Sequence, residues 1–166
     1  MSNDFRVVNP IKEISLLFNN ILVVCVGNIC RSPMAEAILK EALSKIKQNT
    51  CHVSSAGIGA LVGHKADAKA SQLMTARGLD ISPHRACQLN KEIIRRADLI
   101  LVMELAHKMD IETKEPSAKG KIFRLGEWDG HDIPDPYRLD LKAFESALAQ
   151  IDQGVSQWIK KLYKNL

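Results

Sequence analysis

The sequence predicts an α/β fold of three layers: a four-stranded parallel sheet with helices on both faces. Three observations carry this reading. Four short apolar segments alternate along the chain with segments of helical period. One of them, Leu99-Ile100-Leu101-Val102, is apolar throughout, as a parallel strand covered on both faces must be. The first of them runs through Ile21-Leu22-Val23-Val24 to Cys25, then into a short loop with Gly27 and Asn28 that leads into a helix. In folds of this class, ligands bind beyond the carboxyl ends of strands, and Cys25 stands at such an end.

Taken in order, the first helix is expected from Pro33. Ala35, Ile38, Leu39, Ala42, Leu43 and Ile46 repeat at helical spacing, Lys40, Glu41, Lys45 and Lys47 fill the other face, and Ser32 is placed to cap it. Cys51 to Ser54 reads as the second strand, with Cys51 a small core residue, and the Gly-rich stretch Gly57–Gly63 follows. Residues 67–77 form a helix capped by Asp67 and stopped by Gly78; residues 90–96 form another. After the strand at 99–102 a helix starts from Glu104, and Lys121 to Leu125 is the last strand. Leu141, Phe144, Leu148, Ile151, Val155, Trp158, Ile159 and Leu162 mark a long terminal amphipathic helix. Gly154 inside it costs about 1 kcal/mol against alanine, and nothing in the sequence accounts for it. Residues 21–166 are read as one domain behind an extension at 1–20, whose Ile11, Ile14, Leu16, Leu17 and Phe18 suit either a short helix packed on the domain or a disordered lead.

Composition excludes several classes. A formal net charge of +4 in 166 residues, with its lysines and arginines scattered, argues against a nucleic-acid surface. No apolar run approaches the ~20 residues of a membrane span, and the start lacks the order of a signal peptide, so a cytoplasmic protein is expected. The four cysteines and five histidines contain no Cys-x2-Cys and no His-x3-His, so neither a metal nor another cofactor is expected.

The chemistry concentrates in residues 25–32. Cys25 and Arg31 lie on one loop at a helix N-terminus, where orphan N–H groups and the helix dipole favour an anion, and the same field and the arginine favour a thiolate. Arg31 offers a bidentate fork for two phosphate oxygens. Ser32 can donate to a Cys25 thiolate and ease its departure in a second step, and Asn28 is suited to a left-handed loop position. Phosphoryl transfer from an aryl ester also needs a proton for the leaving oxygen, and the segment Asp129-Gly130-His131-Asp132-Ile133-Pro134-Asp135-Pro136-Tyr137 supplies candidates. Asp135, mounted between two prolines, is the first choice; Asp129, Asp132 and His131 stand behind it.

Val24-Cys25-Val26-Gly27-Asn28-Ile29-Cys30-Arg31-Ser32-Pro33 together with Asp135-Pro136-Tyr137 resembles the low-molecular-weight protein tyrosine phosphatases, in motif order and spacing over residues 20–162. The likeness is to bacterial members that act on tyrosine autokinases of capsule and exopolysaccharide export. It implies phosphotyrosine hydrolysis through a phosphocysteine intermediate, with Cys25 the nucleophile, Arg31 the phosphate ligand and Asp135 the general acid. Val26, Gly27, Asn28, Ile29, Cys30, Ser32, Leu61 and Tyr137 would form the substrate pocket, Ser55 and His84 would support the loop, and the protein partner would be a membrane-bound bacterial tyrosine kinase. Cys30 matches a second loop cysteine that in relatives can pair with the nucleophile as a protective disulfide. Two departures stand out: Leu61 where eukaryotic members carry tryptophan, and Arg138 where they carry a second tyrosine. Two alternatives share the fold. An arsenate reductase needs two more cysteines, but Cys87 is the last in the chain; a phosphoarginine phosphatase tends to carry threonine where this loop has Ile29.

Overall fold

The computed structural model describes residues 18–163. Its sheet is wholly parallel, in the order β2-β1-β3-β4, from β1 (Asn20–Cys25), β2 (His52–Gly57), β3 (Leu99–Val102) and β4 (Ile122–Arg124). Side-chain alternation splits each central strand between two layers. Ile21, Val23 and Cys25 of β1, with Leu99, Leu101 and Met103 beside them, pack against α1 (Arg31–Lys45), α2 (Ala68–Ala76) and α5 (Leu141–Leu162). Leu22, Val24, Ile100 and Val102 face the opposite side, where α3 (Lys91–Arg96) and α4 (Leu105–Lys114) contribute Ile94 and Ile111. The predicted fold class, strand count and both helical layers are therefore present. The unbroken apolar run in β3 exists because all four of its residues are buried.

The boundaries differ in informative ways. α1 begins at Arg31, two residues before the expected Pro33, and its N-cap is Cys30 with no side-chain cap. Ser32 is not a cap; its hydroxyl is turned inward, as described below. β2 runs to Gly57, so the Gly-rich stretch starts within the strand, and Cys51 lies just before it, half-buried against the core. Asp67 caps α2 as expected, accepting from Lys69 N–H at 2.8 Å. The expected residues of the N-terminal extension up to Leu17 lie outside the described residues. Phe18 packs against the core, and the backbone N–H groups of Asn19 and Asn20 both donate to Asp98 Oδ2 at 2.9 Å.

Gly154 now has a reason. A Cβ built on it would lie 2.7 Å from the Leu125 carbonyl oxygen and 2.9 Å from Leu125 Cγ. α5 crosses the end of β4 with no room for a side chain, and Trp158 one turn on donates its indole N–H to the Arg124 and Leu125 carbonyls at 3.1 and 3.2 Å. Overpacking of this kind costs about 1–3 kcal/mol, against a helix-propensity gain of about 1 kcal/mol. Gly154→Ala is expected to lower Tm by a few degrees, about 2–4 °C per kcal/mol at this chain length. A raised Tm in thermal denaturation would show that the helix yields instead.

The topology also fixes where a site can form. The chain leaves β1 toward β2 on one side and leaves β3 toward β4 on the other. The crevice beyond the carboxyl ends of β1 and β3 is the switch point of the sheet. Cys25 closes one strand there, and Met103-Glu104 follows the other.

Candidate active site

The loop from Cys25 to Cys30 turns its N–H groups inward because its carbonyls are tied outward. Cys25, Val26 and Gly27 carbonyls accept the N–H groups of Ile58, Gly59 and Leu61 at 3.0, 3.1 and 3.1 Å. The Asn28 carbonyl accepts from His84 Nε2 at 2.7 Å, and that of Ile29 accepts from Asp67 N–H at 2.8 Å. Every peptide here is trans. In a trans peptide the N–H points opposite its carbonyl, so five successive N–H groups face the loop centre and form an anion-binding nest at the N-terminus of α1. The turn needs Asn28 at φ 56°, the left-handed conformation its side chain tolerates. It also needs Gly57 beneath it, since a Cβ there would meet the Val26 carbonyl oxygen at 2.4 Å.

A directed hydrogen-bond chain braces the loop from behind. Glu36, a carboxylate, accepts a hydrogen bond from the Ser55 hydroxyl at 2.6 Å. The Ser55 oxygen is then free to accept from Asn28 Nδ2 at 2.9 Å, and the same amide donates to Ser32 Oγ at 2.8 Å. With its oxygen occupied as acceptor, Ser32 has its proton left for Cys25 Sγ, 3.0 Å away. The Asn28 backbone N–H also reaches that sulfur at 3.3 Å, and its Oδ1 accepts from Cys87 N–H at 2.8 Å. His84 must carry its proton on Nε2, because the carbonyl it meets can only accept.

Arg31 is 1% exposed, a buried charge that demands compensation. Nη1 donates to Glu104 Oε1 at 2.5 Å and to the Ile133 carbonyl at 2.7 Å, while Nη2 pairs with Asp135 Oδ2 at 3.0 Å. Its Nε is buried without a partner among the described residues. The guanidinium is thus held from two sides with a donor left over. A phosphate oxygen in the nest would satisfy that donor.

The pocket over the loop, about 120 Å³ and open to solvent, is lined by Cys25, Val26, Gly27, Ile29, Cys30 and Arg31 from the loop, and by Gly59, Leu61, Asp135 and Tyr137 from its rim. Asn28 and Ser32, expected among the pocket residues, are fully buried behind it and act only through the hydrogen bonds above. Ser55 and His84 sit where loop support was expected. Arg138 lays its guanidinium 5.2 Å over the Tyr137 ring, at φ 63°. Cys30 lines the pocket too, but burial pushes its thiol far above the ordinary cysteine value and keeps it protonated.

The structure separates the acid candidates. Asp129 is held by Gln153 and Gln157 of α5, at 2.5 and 2.7 Å. Asp132 accepts Leu105 N–H at 3.0 Å, capping α4, and pairs with Arg124 at 3.1 Å. His131 lies against Gly126. Asp135 alone among the four lines the pocket and pairs with Arg31. Glu36, bonded to Ser55, and Glu104, bonded to Arg31, are neighbours that the sequence reading missed; the one available signal was that Glu104 follows the carboxyl end of a buried strand.

Known proteins resemble this chain in sequence and in fold. The family model described as low molecular weight phosphotyrosine protein phosphatase matches residues 20–166. A probable low molecular weight protein-tyrosine-phosphatase, EpsP of Ralstonia solanacearum, is 51% identical over 146 residues, covering 88% of this chain and 97% of its own. The structure of Vibrio vulnificus Wzb in complex with benzylphosphonate superposes with a TM-score of 0.80 at 43% identity, covering 87% of this chain and 99% of that one. The YwlE arginine phosphatase of Geobacillus stearothermophilus reaches the same TM-score at 33% identity, covering 88% and 94%.

Proposed function

The chain belongs to the low-molecular-weight protein tyrosine phosphatase family, and from that premise we propose the following division of labour in phosphotyrosine hydrolysis. Cys25 Sγ attacks phosphorus as the phosphate oxygens settle on the loop N–H groups and the Arg31 fork. Asp135 gives its proton to the departing phenolic oxygen, leaving a phosphocysteine. A water then loses its proton to the Asp135 carboxylate and attacks phosphorus, and the sulfur leaves as a thiolate that accepts from Ser32 Oγ and Asn28 N–H. The observation that carries this reading is the convergence, on one pocket, of a sulfur, an inward-facing set of N–H groups, a buried arginine and a carboxylate paired with it.

Protein phosphotyrosine is the substrate class. Ile29, Leu61 and Tyr137 line the pocket with apolar and aromatic surface suited to the faces of a phenyl ring. The reacting sulfur lies at the floor of that pocket, so a short serine ester would strike the rim with its backbone before its phosphorus reached Cys25. Relatives named as tyrosine phosphatases cover nearly their whole length with this chain. The partner we assign is a membrane-bound bacterial tyrosine kinase of capsule or exopolysaccharide export, met at the cytoplasmic face; among the described residues no helix is long and apolar enough to cross a membrane. The test is kcat/KM on matched phosphotyrosine, phosphoserine and phosphoarginine peptides. Phosphotyrosine is expected to lead by well over tenfold; a preference below about tenfold, ~1.4 kcal/mol in transition-state binding, would overturn the assignment.

A further inference from the structure

One buried titratable side chain near Arg31 has no part in the mechanism above. His107 lies in the first turn of α4 and is 7% exposed. The charged groups around it are Glu104 at the cap of its own helix, Arg31 from α1, and Asp132 and Asp135 from the loop after β4. Its Nε2 stands 3.6 Å from Glu104 Oε1, the same oxygen that accepts Arg31 Nη1. Its Nδ1 is buried with no partner among the described residues.

We propose that His107 is a positioning residue for the phosphate-binding arginine: as the neutral Nε2–H tautomer it holds the Glu104 carboxylate turned onto Arg31. The inference rests on the phosphatase reading and adds a third member to the chain His107, Glu104, Arg31.

The tautomer follows from the surroundings. With the proton on Nε2, the ring turns the positive end of its N–H dipole toward a carboxylate 3.6 Å away, just beyond hydrogen-bond length, and buries only a bare acceptor. With the proton on Nδ1, it would aim a lone pair at a carboxylate and bury an unpaired N–H, the costlier arrangement. A second proton would require that same buried Nδ1–H, and burial accordingly pushes the His107 pKa below the ordinary imidazole value although Glu104 pulls it upward. Burial therefore favours the neutral ring. Asp132 is held elsewhere through its Oδ1, which accepts from Leu105 N–H and Arg124.

Glu104 needs such a brace. It is the N-cap residue of α4 but makes no side-chain cap, and its side chain is 31% exposed. Nothing in the helix fixes its rotamer, and water competes for its oxygens. The His107 ring closes one side of it.

The test compares His107→Leu and His107→Gln, each made alone and with Glu104→Gln, by Ki for inorganic phosphate and by kcat and KM on an aryl phosphate. His107→Leu is expected to raise the phosphate Ki by about fivefold or more, within the range for coupled neighbours. His107→Gln, which keeps a donor near the Nε2 position, should stay within about twofold of the unaltered enzyme. In the Glu104→Gln background, His107→Leu should add nothing. Equal effects in both backgrounds, or no change of Ki in a folded His107→Leu protein, would overturn the brace. Where His107→Leu does not fold, imidazole ¹⁵N shifts of the unaltered enzyme decide: a neutral Nε2–H ring at neutral pH supports the proposal, and an Nδ1–H or cationic ring overturns it. Failure of phosphate to inhibit the unaltered enzyme would overturn the phosphatase reading and this inference together.

Discussion

Cys25→Ser is expected to abolish turnover of aryl phosphates, by about 10⁴-fold or more, while phosphate still binds. The two halves of this result have separate causes. Binding uses the inward N–H groups, which the outward carbonyl ties enforce, and the Arg31 guanidinium. Of these only the Asn28 N–H also meets the sulfur, at 3.3 Å. Chemistry needs an anionic nucleophile, and a serine hydroxyl in the same place is not ionised at neutral pH. It would instead become one more hydroxyl in the chain running from Glu36 through Ser55, Asn28 and Ser32, with no base beside it. Stopped-flow with an aryl phosphate should show no burst of phenol from the variant, and phosphate titration should give a Kd close to that of the unaltered protein. Residual turnover within about 100-fold of the unaltered enzyme would mean that the sulfur is not the nucleophile. Cys30 could not take over the role, since burial keeps its thiol protonated.

The sequence reading places residues as the structure does where chemistry and chain order coincide. Cys25 and Arg31 are legible because one short loop carries both, and β3 because burial on both faces leaves an unbroken apolar run. It failed where a side chain serves tertiary geometry instead of its local segment. Ser32-Pro33 has the local signature of a helix start, yet the loop's curvature brings Arg31 into α1 and turns the serine hydroxyl onto the sulfur. Gly154 reads as a helix defect until Leu125 is seen against it. Glu36 lies one turn into α1 and reaches the loop only because β2 lays Ser55 beside Asn28. Glu104 becomes a ligand of Arg31 because β1 and β3 are neighbours, a pairing that no local pattern records. In the 129–137 segment the sequence offers three carboxylates and a histidine, and only their partners in the fold tell helix cap and tether from acid.

Asp135→Asn should separate proton delivery from everything else the loop does. The carboxylate is well placed for both duties assigned to it. Oδ2 touches Arg31 Nη2 at 3.0 Å, which sets it at the edge of the phosphate site, and Oδ1 accepts Tyr137 N–H at 3.2 Å, which fixes its rotamer above the pocket. Pro134 and Pro136 on either side limit the backbone. Its side chain is 42% exposed, so the water that the second step needs can reach it. Asparagine keeps the size and can keep the Tyr137 contact, but it cannot give up a proton to a phenolate or take one from water. With a poor leaving group such as tyrosine itself, kcat should fall by about 10²–10⁴-fold. With a highly activated aryl phosphate, whose phenolate departs unaided, the loss in the first step should shrink toward nothing and leave only the slower hydrolysis of the phosphocysteine. That asymmetry is the signature: a plot of log kcat against leaving-group pKa should be nearly flat for the unaltered enzyme and steep for the variant. Equal losses across the series would instead assign Asp135 a structural duty, namely pairing with Arg31. Asp132 would then be the next carboxylate to test, and it would have to leave Leu105 N–H and Arg124 to act.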